Sequence, residues 1–221
     1  MKTTIKQLFL SLSILFFAFN GKAEIVNGTG NVTMNTYTVN TIKKLVVEGN
    51  FDVILTYGNQ SVLTIETDSN LQGNVLVSDE NGVLHIRIKE NTGKSTKMNL
   101  YLTINQLESM GFQDVASVKG TNFLWFNNLD LTLNTIGKTD LKLTANKMSV
   151  QLEGAGDLHL SGSVHELKIN NSGLGSIITK DLVSEKLTIV QPKNRNVELK
   201  VGKQESLEVK MSASPVTSAK A

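Results

Sequence analysis

The sequence predicts an all-β protein of the solenoid kind, a single domain of short strands wound as stacked coils. Three observations carry that prediction. Between Leu129 and Met211 one strand pattern recurs: Leu129-Asp-Leu-Thr-Leu, Met148-Ser-Val-Gln-Leu, Leu167-Lys-Ile-Asn-Asn, Leu187-Thr-Ile-Val-Gln and Leu207-Glu-Val-Lys-Met. The first residues of these segments lie about 19 to 20 positions apart, the period of a repeat architecture. A second strand family lies between them, Asp140-Leu-Lys-Leu, Asp157-Leu-His-Leu, Ser176-Ile-Ile-Thr and Asn196-Val-Glu-Leu, so each coil holds two strands, two corners and no helix. Finally, Gly, Asn and Asp collect at the corners, and the only prolines, Pro192 and Pro215, fall near the end of the chain.

Residues 1–23 read as a secretory signal peptide cleaved after Ala23. Lys2 and Lys6 supply a positive start, Leu8 to Phe19 an apolar stretch too short to span a membrane, and Gly21-Lys22-Ala23 the small residues at the cut. The segment carries three lysines and no acid, so its removal takes the formal net charge from +2 to −1. No basic face then remains for nucleic acid. The chain has no cysteine, so an exported form is held by core and ladder alone, without disulfides or a lipidated N-terminal cysteine. Export places it in the periplasm, on the outer surface or outside the cell.

Residues 24–35 are polar and Gly-rich and read as a flexible lead-in to a first strand near Thr36 to Val39. Leu45 to Val47 and Phe51 to Thr56 read as strands about a turn at Gly49-Asn50, with a further strand at Val62 to Glu66. Asn81-Gly82 between Val75-Leu-Val-Ser and Val83-Leu-His-Ile-Arg-Ile is a strong hairpin signal. Met98 to Ile104 alternates again, and the coils start near Leu107. The domain therefore spans 36–211, followed by a small, polar tail over 212–221 that reads as disordered.

A twenty-residue coil cannot bury its apolar face alone, so coils must stack about 4.8 Å apart. Leu129, Met148, Leu167, Leu187 and Leu207 are expected to form one inward ladder, and Leu141, Leu158, Ile177 and Val197 another. The last coil carries charge at its outward positions and Pro192 before it, which reads as a cap against edge-to-edge growth.

The segments Lys44-Leu-Val-Val-Glu-Gly-Asn-Phe-Asp-Val-Ile-Leu-Thr-Tyr-Gly, Ile65-Glu-Thr-Asp-Ser-Asn-Leu and Asn81-Gly-Val-Leu-His-Ile, together with Gly154-Ala-Gly-Asp-Leu, carry a family resemblance. From about Thr41 to Met211 the chain resembles the head GIN domain of proteins named putative auto-transporter adhesins, found in Bacteroidota and related bacteria. The resemblance implies a right-handed β-helix-like fold, export and no established activity. The adhesin label is itself an analogy from shape. No outer-membrane barrel or translocator accompanies it in this sequence.

Candidate chemistry is sparse. Asp52, Asp140 and Asp157 each precede an apolar strand position and suggest either a carboxylate row for calcium or sugar, or corner residues accepting backbone hydrogen bonds. Ser176 and Asn196 at matching places keep the hydrogen-bonding ability without charge, which favours the corner role. Gly154-Ala-Gly and Gly173-Leu-Gly lack the following helix of a phosphate loop and read as corner glycines. His85, His159 and His165 show no metal spacing, and no nucleophile elbow is present. No catalytic residue, metal or cofactor is assigned.

Phe123-Leu-Trp-Phe126 stands apart. Four large apolar residues in a row cannot all face inward on a strand of period two, so two are expected to be exposed or covered by the N-terminal half. Exposed, Trp125 and Phe126 are candidate ligand contacts, suited to sugar rings or a protein surface. The expected function is thus a non-enzymatic, adhesin-like binding module at the cell envelope or cell exterior, its partner a glycan or an envelope or host protein. A self-assembling envelope scaffold is the main alternative. A polysaccharide-active β-helix enzyme is a weaker one, since it requires a groove of carboxylates and basic residues.

Overall fold

A computed structural model of the chain describes residues 24–192 and 199–212. The signal peptide expected over 1–23 and the tail from 213 onward lie outside the described residues, as does Val197. The strands are β1 (Val32–Thr38), β2 (Lys44–Glu48), β3 (Asp52–Tyr57) and β4 (Val62–Asp68), then, after a 3-10 turn (Ser69–Asn74), β5 (Val75–Glu80), β6 (Val83–Ile88) and β7 (Met98–Ile104). The coils follow as β8 (Ser109–Val115), β9 (Ser117–Gly120), β10 (Leu124–Trp125), β11 (Asn128–Thr135), β12 (Thr139–Leu152), β13 (Leu158–Asn171), β14 (Ile177–Pro192), β15 (Leu199–Val201) and β16 (Gln204–Ser212). They form a β-solenoid of about five turns.

Two parallel faces run the length of the solenoid. One stacks β6, β2, β8 and β11, then the second halves of β12, β13 and β14, then β16; the other stacks β7, β3, β9, the first halves of the same long strands, and β15. The solenoid therefore begins earlier than Leu107. β2 and β3 are already a coil, joined at Gly49-Asn50 by a corner, and they pair with other coils rather than with each other. After β3 the chain leaves to build the far side, where β6 and β7 flank β2 and β3, then returns to lay β8 and β9 on their other side.

The far side is finished by antiparallel strands. β5 pairs with β6 across a turn in which Asn81 (φ 53°) and Gly82 (φ 75°) both adopt positive φ, and β4 pairs with β7 and β1. β1 begins at Val32, within the segment expected to lead in. Val26 bridges Thr92 and donates from its N to Asn91 O at 2.8 Å, so this stretch is tied to the loop before β7.

One expected ladder holds: Leu129, Met148, Leu167, Leu187 and Leu207 are in register, and the first four are buried. The other does not. Leu141 pairs with Leu160, while Leu158 pairs with Thr139 and Ile177, and Ile177 pairs with Leu199. The slip arises because aligning the Asp-Leu dipeptides ignores the corner, where the backbones of Gly137, Gly156 and Gly175 stack. A Cβ on Gly175 would run into the carbonyl of Gly156, and one on Gly156 into that of Gly137. Corner contact, not strand sequence, sets the register there.

Candidate functional site

The strongest candidate site is an open cleft of about 760 Å³ where the end of β3, the loop before β8 and the segment after β10 meet. It is built from local alternation. β10 pairs with β12 through Leu124↔Leu143 and Trp125↔Thr144, and Leu124 is fully buried. Its neighbour Trp125 must then face out, and it is 56% exposed. Phe126 donates its N to Thr144 O at 2.9 Å and lies half-buried against the core. Phe123 is half-buried, with its ring 5.6 Å from that of Trp125 at 49°, and the Lys142 ammonium sits 5.5 Å from its centroid. Of the four apolar residues only Trp125 is widely exposed; Phe126 lines the cleft mainly as a wall.

The Trp125 platform is fixed from the neighbouring coil. Asn122 grips the backbone of Tyr57 with both amide atoms, accepting from Tyr57 N at 2.8 Å and donating to Tyr57 O at 2.9 Å. Thr121 N donates to Leu55 O at 2.8 Å, and the Thr121 and Thr56 hydroxyls are 2.7 Å apart. Tyr57 thereby joins the cleft. Around the aromatics stand planar amides and carboxylates: Asn105, Gln106, Asn127, Asn128, Glu108 and Asp130. Glu108 accepts from Lys43 Nζ at 2.8 Å, and that ion pair holds the lysine above its ordinary pKa.

Asn128 and Asp130 also line a second groove of about 430 Å³, which crosses the next coils over Lys147, Glu166 and Lys186. Glu166 lies 3.2 Å from Lys147 Nζ and 3.9 Å from Lys186 Nζ, and its hydrogen bond to Lys147 lowers its pKa. The two hollows thus share a rim and run across successive coils.

The other candidates resolve into structural roles. Asp157 Oδ1 accepts from Ser176 N at 2.8 Å at a corner; Asp140 pairs with Lys138, and Asp52 accepts from Ser117 Oγ. These carboxylates do not align in a row, in keeping with the corner role that the sequence favoured. Asp140 stands opposite His159, whereas Asp157 precedes Leu158, the partner of Thr139. His85 and His165 sit beside Glu48 and Glu185. Among the described residues no cluster of three or more His, Cys, Asp or Glu is placed to hold a metal ion.

The sequence anticipated the exposure of Trp125 and missed what surrounds it. Asn127-Asn128 follows Phe126 and was readable as a polar edge to the aromatic run. Tyr57 and Glu108 reach the cleft only through the stacking of β3 and β8 against later coils, which no local signal encodes.

Fold and cleft together describe a β-solenoid that carries, among the described residues, an exposed tryptophan beside a cleft rimmed by amides. The sequence profile of the family described as "Putative auto-transporter adhesin, head GIN domain" matches residues 41–218, and the chain belongs to that family. Among solved structures it is similar to a putative adhesin from Bacteroides fragilis NCTC 9343, with a TM-score of 0.68 and 19% identity over 83% of this chain and 99% of that one. It is also similar to a putative adhesin from Parabacteroides merdae ATCC 43184 (TM-score 0.56, 16% identity, 85% and 100% covered). A third similar structure is that of a protein described as a putative lipid binding protein, from Parabacteroides distasonis ATCC 8503 (TM-score 0.58, 15% identity, 86% and 98% covered). At these identities the likeness concerns the fold. A comparison with curated proteins gave no match. No helix among the described residues is long and apolar enough to cross a membrane.

Proposed function

We propose that the protein is an exported, non-enzymatic binding module that works at the cell envelope or outside the cell and holds a carbohydrate in the Trp125 cleft. The observation that carries this reading is the wide exposure of the chain's single tryptophan, braced on a rigid coil and ringed by amides and carboxylates. A large indole face left in water is unfavourable unless something covers it. A sugar ring offers the matching chemistry, an apolar face of C–H groups and a rim of hydroxyls that pair with Asn, Gln, Glu and Asp. Export follows from the signal peptide expected over residues 1–23, and the adhesin family supports a binding role.

The test is a glycan array followed by calorimetry on residues 24–221. The expected result is a hit that Trp125→Ala abolishes while the melting temperature stays unchanged, since the side chain is outside the core. No binding across the array, or a hit that Trp125→Ala leaves intact, overturns the assignment.

A further inference from the structure

The two ends of the solenoid are finished differently. At one end β1 and β5 close the faces with antiparallel pairing. At the other, β16 pairs with β14 and, among the described residues, with nothing else. Leu207, Val209 and Met211 continue the rows of Leu187, Ile189 and Gln191. Those three are buried, while their successors are 46%, 39% and 53% exposed. Three inward positions thus open to solvent along a strand edge that, among the described residues, no further strand covers, a surface that invites another strand.

The sequence of β16 says which strand fits. Ser206-Leu-Glu-Val-Lys-Met-Ser212 is symmetric in chemistry about Val209: leucine and methionine on either side, glutamate and lysine between them, serine at both ends. A two-fold axis at Val209 reverses the strand. It would set Glu208 opposite Lys210 of a second copy, Leu207 opposite its Met211, and Ser206 opposite its Ser212. Opposite charges and apolar pairs facing each other across a ladder both stabilise it. A parallel, in-register pairing would instead oppose Glu208 to Glu208 and Lys210 to Lys210. The strands that close the far end do not complement β16: β1 carries no charged residue, and the charges of β5 are both acids, Asp79 and Glu80.

We propose that the protein forms a closed dimer in which β16 of each copy pairs antiparallel with β16 of the other about Val209. The charges read from the sequence as a cap then serve a selective contact, discouraging indiscriminate pairing while matching this one. An isologous interface uses up both open ends, so assembly stops at two and gives no filament. The dimer carries two Trp125 clefts, which raises avidity for any repeating surface, whatever the cleft binds.

The test is the solution mass of residues 24–221 by light scattering and sedimentation across a concentration series. The expected species is a dimer. Glu208→Lys and Lys210→Glu each create two like-charge pairs across the axis and should weaken association about tenfold or more at low salt, and the two together should restore it. Both side chains are exposed and pair with each other within one copy at 3.2 Å, so far-UV circular dichroism, not a melting temperature that shifts with association, reports separately that the variants fold. In this cysteine-free chain Val209→Cys should crosslink to itself on mild oxidation, because the two-fold places each copy beside its own mate; Leu207→Cys, which faces Met211, should not. A monomer at every concentration up to about 1 mM overturns the proposal, and so does a monomer that dimerises only when residues 213–221 are removed. A dimer indifferent to both charge reversals and resistant to the Val209→Cys crosslink overturns it as well.

Discussion

The antiparallel end of the molecule and its stacked coils satisfy the same requirement by opposite means. In the coils each strand is finished by a near copy of itself: buried Leu, Ile and Met repeat in register from Leu129 to Leu187, and corner backbones touch where glycine repeats. At the β1–β4–β7 end no further copy follows among the described residues, and polarity does the finishing. Asp68 is buried and accepts from Gly30 N at 2.6 Å, Thr96 N at 2.7 Å and Thr96 Oγ1 at 3.0 Å, pinning the lead-in and the loop before β7 to one carboxylate. Glu66, also buried, takes Lys97 Nζ at 2.7 Å, Asn99 Nδ2 at 2.8 Å and the Tyr101 hydroxyl at 2.8 Å. The coils are a non-directional apolar stack, and the end is a hydrogen-bonded clasp. The two should fail under different insults.

The largest effect is expected in the stack. Leu167 is buried between Met148 and Leu187, so Leu167→Ala opens a cavity that neighbours on both sides cannot fill, at a cost of about 2–5 kcal/mol. Its outward neighbour Lys168 is exposed, and Lys168→Ala should change stability by less than about 0.5 kcal/mol. Equal losses in chemical denaturation would mean that the ladder does not carry the coils. Next comes Gly175→Ala. The new methyl meets the Gly156 carbonyl and not a yielding side chain, so the coils must part at that corner, for about 1–3 kcal/mol. A neutral outcome would remove the corner contact as the element that sets register.

The same contrast explains what could be read in advance. The coils were legible because stacking repeats a pattern within the chain, so Leu129 predicts Met148 and Met148 predicts Leu167. The second ladder kept its register between Leu158 and Ile177 but was misaligned by two residues at Leu141, because register there is set by glycine backbones in a corner, a contact between atoms common to every residue. The hairpin at Asn81-Gly82 was legible for the opposite reason, being local. What no period or neighbour encodes is the insertion of β2 between β6 and β8, or of β3 between β7 and β9, and with it the meeting of Tyr57, Glu108 and Trp125. The candidate site was therefore half visible, its aromatic core in sequence and its polar rim in topology.

Acid should separate the two regions. Hydrogen bonds from Lys97 and Tyr101 lower the Glu66 pKa, and backbone donors from Thr96 and Gly30 lower that of Asp68, in each case against the penalty of burial. A carboxylate depressed in the folded state contributes stability that is fully present above its unfolded value, 4.5 for Glu66 and 3.8 for Asp68, and is lost as pH falls through the folded value. Below pH about 4 the clasp should loosen before the stack. Amide resonances of Gly30 and Thr96 should then broaden while that of Ile169 holds its position. Asp68→Asn should reproduce the loosening at neutral pH and flatten the acid limb of the melting curve. Simultaneous loss of both sets of resonances would make the two regions one cooperative unit.

The smallest effect belongs to the hairpin, and it isolates a term that the corner glycine mixes with sterics. Gly82 has φ +75°, yet a Cβ there would find no atom closer than 4.0 Å. Gly82→Ala therefore tests backbone conformation alone, at about 1 kcal/mol for a left-handed alanine. The carbonyl of Gly82 accepts from Lys43 N at 2.8 Å and Lys44 N at 3.1 Å, so the strain is delivered where the hairpin meets β2. Equilibrium denaturation should show a lower midpoint with an unchanged slope, because the turn alters stability without altering the surface exposed on unfolding. If Gly82→Ala instead costs as much as Gly175→Ala, the turn is coupled to the coils through β2 and the clasp is part of the stack; if it costs nothing, the turn relaxes into another type and the hairpin register rests on the strands.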